Sequence, residues 1–144
     1  MRFNGEWLQC DDGIIRPVMR AEIEANGGAW RAMELLVDTG ADRTVLSANV
    51  LESLNLLTSE PQDGIGGVGG LVASVVVRTR VRLTRDDGRT ATFHGEYAAC
   101  VEQEALDMSV LGRDILELFA VLVDRPSAVV TLLSGRHRYT IDEQ

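Results

Sequence analysis

The chain has 144 residues, of which 45% are hydrophobic and 25% charged; these values are typical of one globular domain and exclude a disordered or collagen-like chain. Its formal net charge is -8, so we expect it to bind neither nucleic acid nor anionic membranes. The amino terminus lacks the apolar core of a signal peptide, and no apolar run reaches the roughly 20 residues that span a bilayer. A single cytoplasmic domain over residues 1–144 is therefore expected.

The first half of the chain has the alternation of β-strands, interrupted by short turns. Asp12-Gly13 separates "EWLQC" from "IIRPV" and predicts a hairpin, and "VMRAEIEA" alternates apolar with charged residues. The run from Trp30 to Val37 becomes apolar on both faces near its end, which predicts a central strand. Ser47 then precedes apolar residues at helical spacing and is the predicted N-cap of a helix of about two turns.

The second half continues with longer strands. The segment "TSEPQDGIGGVGG", Thr58 to Gly70, is rich in turn residues and predicts a loop. It precedes the strand "LVASVVVRTRVRLT", which Asp86-Asp87-Gly88 joins in a hairpin to "RTATFHGEYAACV". Apolar residues of "RDILELFA" share one helical face, and "AVLVD", "AVVTLL" and "RYTI" predict three final strands. The pattern indicates a mainly β fold with one or two short helices.

The cysteine and histidine residues give no sign of a metal site. Cys10 and Cys100 are far apart and show no Cys-x-x-Cys or Cys/His spacing, so idle thiols are expected. His94 and His137 each stand alone, which makes a zinc site improbable. We expect neither a metal nor a cofactor.

The glycine run "GIGGVG", Gly64 to Gly69, matches the GxGxxG pattern of dinucleotide-binding loops. That pattern needs a strand before it and a helix N-terminus after it, whereas "SEPQD" precedes this run and strand-forming "LVASVVV" follows it. A flexible hairpin tip that lies against an extended ligand is the preferred interpretation, because glycine lets backbone groups approach closely. A surface loop without a role is the other interpretation.

Asp38-Thr39-Gly40, within "ELLVDTGADRTVL", comes directly after a run of apolar residues. A carboxylate at the end of a buried strand costs desolvation free energy unless it is hydrogen-bonded or takes part in chemistry. Asp38 could simply cap the turn after its strand. The apolar strand before it, "TVL" after it, and the later segments "IGGVGG" and "VLGRDIL" favour a chemical role.

These segments, in this order, resemble those of the retroviral-type aspartic peptidases, the retropepsin family. "LLVDTGADRTVL" is similar to the family's active-site segment, "IGGVGG" to the tip of its flap, and "VLGRDIL" to the helix after its last core strand. The resemblance covers Trp30 to Phe119. It implies a closed β-barrel of the acid-protease type that forms a homodimer, and an aspartic endopeptidase activity without a cofactor.

Aspartic peptidases hydrolyse peptide bonds with two carboxylates that share one proton, one acting as base toward a water and the other as acid toward the substrate carbonyl. The chain has one Asp-Ser/Thr-Gly triplet, because Asp11-Asp12-Gly13 and Asp86-Asp87-Gly88 lack the hydroxyl. The resemblance therefore implies that Asp38 pairs with Asp38 of a second copy in a two-fold symmetric site. A non-catalytic dimerisation or peptide-binding module with the same fold is the alternative function.

The resemblance also implies residue roles. Thr39 matches a threonine whose hydroxyl reaches the other chain's loop, and Gly40 allows a tight backbone beside the catalytic pair. Asp42 and Arg113 match an ion pair that supports the loop and the dimer, for which a two-point arginine–carboxylate contact is expected. The residues expected to contact the peptide substrate are Ala41, Asp42, Val45, Ile65, Gly66, Gly67, Val68, Met108 and Val110. The apolar side chains of Val45, Ile65, Met108 and Val110 would line the subsites, which predicts hydrophobic residues beside the cleaved bond of an extended peptide.

Two expectations concern departures from the family. Ala41 stands where pepsin-like enzymes usually carry Ser or Thr, and without that hydroxyl to stabilise an ionised pair, activity should extend toward neutral pH. The chain also carries an extension through about Pro17 and a long stretch past Phe119. We expect "AVVTLL" and "RYTI" to supply the dimer interface.

Overall fold

The computed structural model of the protein describes residues 1–67 and 70–143. Within these residues it contains eleven strands and two short α-helices. The strands are β1 (Arg2–Asn4), β2 (Glu6–Gln9), β3 (Ile15–Glu24), β4 (Trp30–Val37), β5 (Val45–Leu46), β6 (Thr58–Gly67), β7 (Gly70–Thr84), β8 (Thr90–Cys100), β9 (Ser109–Leu111), β10 (Ala120–Asp124) and β11 (Val129–Leu133). The helices are α1 (Ala48–Leu54) and α2 (Arg113–Leu116).

The larger sheet closes into a barrel. Its eight strands have the order β2-β3-β4-β9-β5-β8-β7-β6, and β3 also pairs antiparallel with β7. This additional pairing joins Glu22 to Arg82 and Ile23 to Val81, so that β3, β4, β9, β5, β8 and β7 form a ring. The prediction of a mainly β fold with a closed barrel and short helices is confirmed.

The seam between β3 and β7 carries ion pairs on its outer side. Arg82 binds both carboxylate oxygens of Glu22 at 3.0 Å, and Arg80 hydrogen-bonds Glu24. The Arg82 guanidinium also lies 4.1 Å from the centre of the Trp30 ring. Hydrogen bonds from the arginines hold the pKa of Glu22 and of Glu24 below the ordinary value. The seam therefore loses electrostatic stabilisation as the pH falls through those depressed pKa values.

A smaller sheet of order β1-β11-β10 packs against the barrel and shares its core. Phe3 of β1 and Leu132 of β11 are fully buried in the same cluster as Leu35 and Val77 of the barrel. The ring of Phe119 lies 5.5 Å from that of Phe3 in an edge-to-face arrangement. Because full burial of each large side chain contributes about 1.5–3 kcal/mol, this shared cluster fixes the small sheet on the barrel.

Most of the local predictions are confirmed. The Asp12-Gly13 hairpin joins β2 to β3, and the turn over Asp86-Asp87-Gly88 joins β7 to β8. β4 is a central strand between β3 and β9. Ser47 is the N-cap of α1, where its hydroxyl accepts a hydrogen bond from the Val50 N–H.

The prediction of a loop from Thr58 onward is wrong, because Thr58–Gly67 forms β6 and pairs antiparallel with β7. The register shifts twice, between Ser59 and Gln62 and between Gln62 and Ile65. Turn-forming residues are tolerated there because β6 is an edge strand and its pairing is irregular. The strand that follows "IGGVGG" also excludes a dinucleotide-binding turn, which would require a helix at that position.

The prediction of a last strand over "RYTI" is also wrong. Residues 138–141 have no regular secondary structure, and Tyr139 and Ile141 are 78% and 88% exposed. The strand that precedes them, β11, already pairs with β1 on one side and with β10 on the other. No free edge of β11 is left for the segment to join.

The predicted helix over "RDILELFA" is shorter than expected, since α2 ends at Leu116. Phe119 still packs on the core, but it does so from the connection between α2 and β10. Within the described part of the chain, no helix is both long enough and apolar enough to cross a membrane.

Candidate active site

The Asp38 carboxylate is presented at the end of β4. Leu35 is fully buried and Val37 is 8% exposed, so the strand before Asp38 is anchored in the core. Parallel pairing with β9 continues past the end of β4, because the Asp38 N–H donates to the Leu111 carbonyl at 3.2 Å. The core strands therefore hold the backbone of Asp38, while its side chain is only half-buried.

The loop after Asp38 is held by its own hydrogen bonds. The Gly40 N–H donates to Asp38 Oδ1 at 2.9 Å, and the Ala41 N–H donates to the Asp38 carbonyl at 3.2 Å. The Arg113 N–H then donates to the Ala41 carbonyl at 2.9 Å, which ties the loop to α2. A Cβ on Gly40 would lie 3.2 Å from Asp38 Oδ1, so glycine leaves the carboxylate room beside the backbone.

The side chain of Arg113 lies over the same loop. Arg113 Nη2 hydrogen-bonds Asp42 Oδ1, and Nη1 approaches the Thr39 carbonyl at 3.5 Å. Nε lies 3.6 Å from Glu117 Oε1. The expected two-point contact with one carboxylate is replaced by contacts from three nitrogens to three residues. The guanidinium thereby connects the Asp38 loop to α2.

A buried polar network that sequence reasoning missed lies beneath the loop. Thr44 is fully buried; its hydroxyl donates to Asp114 Oδ1 at 2.7 Å, and its N–H donates to Asp114 Oδ2 at 2.9 Å. The same hydroxyl accepts from the Gly112 N–H at 3.2 Å, and Asp114 Oδ1 accepts from the Ile115 N–H at 2.9 Å. The network joins segments some 70 positions apart. The one local sign in the sequence was a threonine directly before the apolar residues of β5.

Gly112 is required by close packing. It adopts an ordinary φ of -98°, but a Cβ there would lie 2.2 Å from the Arg43 carbonyl carbon. The chain on the far side of the Asp38 loop thus passes directly against the start of α2. In "VLGRDIL" the glycine is therefore a steric requirement of this crossing.

The predicted substrate-contacting residues that the structure describes fall into four places, of which the loop after Asp38, with Ala41 and Asp42, is described above. Val45 and Val110 pair across β5 and β9 and are 5% and 7% exposed. Met108 is half-buried and lines a cleft of about 530 Å³. The other lining residues of that cleft are Leu8, Gln9, Cys10, Asp11, Asp12, Arg16, Glu34 and Asp107.

Three other predicted contacts lie on the edge strand β6, whose backbone pairs with β7. Ile65 pairs with Val72, Gly66 with Leu71, and Gly67 with Gly70. Val68 lies outside the described residues. The backbone therefore forms a two-stranded hairpin up to Gly67, at the position where sequence reasoning placed a hairpin tip.

Neither cysteine forms part of the Asp38 loop. Cys100 is buried on β8, where burial raises the pKa of its thiol, and Cys10 is half-buried beside the β2–β3 turn. Among residues 1–67 and 70–143, no group of three or more His, Cys, Asp and Glu side chains is placed to hold a metal ion.

Comparisons with known proteins identify a family. The family model described as "gag-polyprotein putative aspartyl protease" matches residues 21–118. The chain is similar to the structure of the EIAV protease complexed with the inhibitor HBY-793, at 30% identity and a TM-score of 0.49, over 71% of this chain and 86% of that one.

A second similar structure is that of a retropepsin-like aspartic protease from Rickettsia conorii. The similarity covers 92% of this chain and 91% of the Rickettsia conorii chain, at 16% identity and a TM-score of 0.57. The comparison with curated proteins gave no match. Because the family model matches well over half of the sequence, the chain belongs to the retropepsin-like gag-polyprotein aspartyl protease family.

Proposed function

We propose that the protein is an aspartic endopeptidase whose one active site forms when Asp38 of two identical chains meet on a two-fold axis. The observation that carries the proposal is the presentation of Asp38: a half-buried carboxylate on a rigid loop at the end of a core strand. The hydrogen bond from the Gly40 N–H to Asp38 Oδ1 is the one that a turn-capping aspartate makes, so it does not by itself separate the two roles. What favours a chemical role is that the side chain, held at the end of a core strand, stays only half-buried and keeps an exposed fraction for a partner.

The chemistry needs a second carboxylate. Two aspartates about 3 Å apart cannot both ionise cheaply, so they hold one proton between them. The ionised carboxylate then takes a proton from water, while the protonated one donates to the carbonyl oxygen of the scissile peptide bond. Since the sequence has one Asp-Ser/Thr-Gly triplet, the second carboxylate comes from another copy.

Residues around Asp38 support this assembly. Thr39 is exposed in the single chain, as expected of a residue that contacts a second copy. Asp42 is 84% exposed at its side chain although Arg113 binds it, and a solvent-exposed pair of this kind contributes little to the stability of one chain. The Arg113–Asp42 ion pair instead orients the Asp38 loop. Its electrostatic attraction becomes stronger if a second copy excludes water from it.

The proposed substrate is an extended peptide with hydrophobic residues beside the cleaved bond. The side chains of Val45 and Val110 pair across β5 and β9, and Met108, one residue before β9, is half-buried on the wall of the cleft. The β6–β7 hairpin supplies backbone N–H and C=O groups of Ile65, Gly66 and Gly67 that can pair with a peptide strand.

Cleavage of an unbiased peptide library tests the proposal. Asp38→Asn keeps the size of the side chain and an oxygen for the Gly40 N–H, so the variant should fold and assemble as the natural protein does while losing at least about 1000-fold in turnover. Asp86→Asn, in the exposed β7–β8 turn, is the matched control and should retain full activity.

Equal cleavage by the natural protein and by Asp38→Asn would reject Asp38 as the catalytic group. Absence of cleavage in both, with peptides still bound, would indicate a non-catalytic peptide-binding module instead.

A further inference from the structure

The cleft of about 530 Å³ that Met108 lines lies between the β2–β3 hairpin and the residues just before β9. Its volume falls within the range of ligand pockets, about 300–1,000 Å³. Leu8 and Met108, both half-buried, give it apolar walls. The hairpin precedes residues 21–118, which the family model matches, so this side of the cleft belongs to the extension of this chain.

The polar lining of the cleft is acidic, and part of its charge is unpaired. Arg16 binds both carboxylate oxygens of Asp12, at 3.0 and 2.7 Å, so these two charges compensate each other. Glu34 accepts a hydrogen bond at 3.0 Å from an arginine outside the cleft. The carboxylates of Asp11 and Asp107 have no ion-pair or hydrogen-bond partner among residues 1–67 and 70–143. The cleft thus has negative charge left for a ligand.

The combination of apolar walls and unpaired carboxylates selects one class of ligand. An anion would be repelled by the same carboxylates. Within the described residues, no three acidic, histidine or cysteine side chains are placed to hold a metal ion. The side chain of arginine or lysine matches both parts of the lining, because its methylene stem packs on apolar surface while its cationic end binds carboxylates.

Two parallel strands connect the cleft with the Asp38 loop. Glu34 lies on β4 four positions before Asp38, and Met108 directly precedes β9, whose Ser109 pairs with Leu35. Four strand residues span roughly 13 Å, at about 3.3 Å per residue. An extended peptide has nearly the same rise per residue, so a side chain in the cleft would belong to a residue about three to five positions from the cleaved bond.

We propose that this cleft is an outer substrate subsite that selects an arginine or lysine side chain of the bound peptide, and that Asp11 and Asp107 determine this charge preference. The inference rests on the proposed function and deepens it, because it adds a basic residue to a substrate that is hydrophobic at the cleaved bond. A two-fold symmetric dimer contains the cleft twice, so the preference applies on either side of that bond.

Paired peptides that differ in one side chain test the charge preference. A peptide that the library experiment identifies as cleaved or bound carries arginine or citrulline in turn at each position outside the two residues that form the cleaved bond. Citrulline keeps the shape of arginine without its charge. At one or more positions, kcat/KM should be about 10-fold higher for the arginine peptide, as expected for a hydrogen bond to a charged group.

Substitution of the two unpaired carboxylates identifies the residues responsible. Asp11→Asn and Asp107→Asn should each lower the arginine-to-citrulline ratio of kcat/KM, and the double variant should bring it to about 2 or below, because the neutral amides no longer attract the cation. The matched control is Asp86→Asn, which removes one negative charge from the exposed β7–β8 turn and should leave the ratio unchanged.

Two results of this experiment would overturn the inference. One is a ratio near one at every position for the natural protein. The other is an equal fall of the ratio in Asp86→Asn and in the cleft variants, which would show that the net charge of -8, and not the cleft, attracts the basic peptide.

Alkylation of Cys10 reports occupation of the cleft without any cleavage. Cys10 lines the cleft and is half-buried, whereas Cys100 is 1% exposed. Iodoacetamide should therefore label Cys10, and Cys10→Ser should lose that label. In the Asp38→Asn protein, the arginine peptide at ten times its dissociation constant should slow the labelling by about 10-fold. Equal labelling rates with the arginine and citrulline peptides at the same concentration would overturn the inference.

The outcomes separate the inference from the proposed function. Asp38-dependent cleavage with no arginine preference at any position refutes the inference and leaves the function standing. Selective protection of Cys10 by the arginine peptide, without Asp38-dependent cleavage, supports the subsite and refutes the peptidase function. Absence of both cleavage and selective protection refutes both.

Discussion

Replacing Thr44 with valine keeps the shape of the side chain but removes the hydroxyl that joins the Asp38 loop to α2. In the structure this hydroxyl donates to Asp114 Oδ1 at 2.7 Å and accepts from the Gly112 N–H at 3.2 Å, at a residue with no exposed surface. The substitution therefore removes one hydrogen bond to a charged group and leaves one buried N–H without its acceptor.

The two losses can be estimated separately. A hydrogen bond to a charged group contributes about 1.5–3 kcal/mol, and an unsatisfied buried donor costs about 1–3 kcal/mol. Asp114 is exposed and regains water on its carboxylate, which places the first contribution at its lower end. We therefore expect Thr44→Val to lower the free energy of unfolding by about 2.5–4.5 kcal/mol.

Urea unfolding followed by circular dichroism measures this change, at matched protein concentrations because dimerisation adds to stability. Thr131→Val is the control: Thr131 is 4% exposed, and its hydroxyl bonds only the neutral Asn4 side chain at 3.3 Å. Its loss should be about 1 kcal/mol. If Thr44→Val is no more destabilising than Thr131→Val, the network does not support the loop as described.

Three further changes probe other features of the structure. Gly112→Ala should destabilise the fold by about 3 kcal/mol or more, because its Cβ would overlap the Arg43 backbone; a natural urea midpoint would contradict this. Burial raises the pKa of Tyr97 from 10.0 to about 12. The unfolded chain therefore loses the phenol proton at a lower pH than the folded chain does. As the pH rises from 10.0 to about 12, the free energy of unfolding should fall by at most about 2.7 kcal/mol. Tyr97→Phe should reduce the alkaline loss, and an equal loss in both proteins would count against the assignment. Ala41→Ser should move the acid limb of the pH–rate profile to lower pH by stabilising an ionised pair, whereas an unchanged limb, or natural activity confined near pH 3, would count against the role given to Ala41.

Short-range patterns were enough for the elements around the candidate site. The apolar run that becomes β4, the Asp-Gly turn before β3, and the Ser47 N-cap each depend on contacts within a few residues. Asp38-Thr39-Gly40 could be singled out because a carboxylate after a buried strand is unusual within its own segment. The family resemblance rested on such local segments and their order.

Predictions failed where the outcome depends on a distant partner. The segment after Thr58 has the composition of a loop, yet it forms β6 because β7 is available to pair with it. "RYTI" has the composition of a strand, yet it cannot pair with the preceding strand because β1 and β10 occupy both edges of β11. Strand propensity is a property of a segment, whereas strand pairing is a property of two.

The amino-acid sequence by itself therefore determined that the chain is mainly β, where its turns and first helix lie, and which aspartate could carry chemistry, since each follows from residues adjacent along the chain. The tertiary structure alone decided that β3 closes the barrel against β7, that Thr44 is held by Asp114, and that β11 lies between β1 and β10. These features join residues that only folding brings together, and periodicity within one segment carries no information about which distant segment will satisfy its hydrogen bonds.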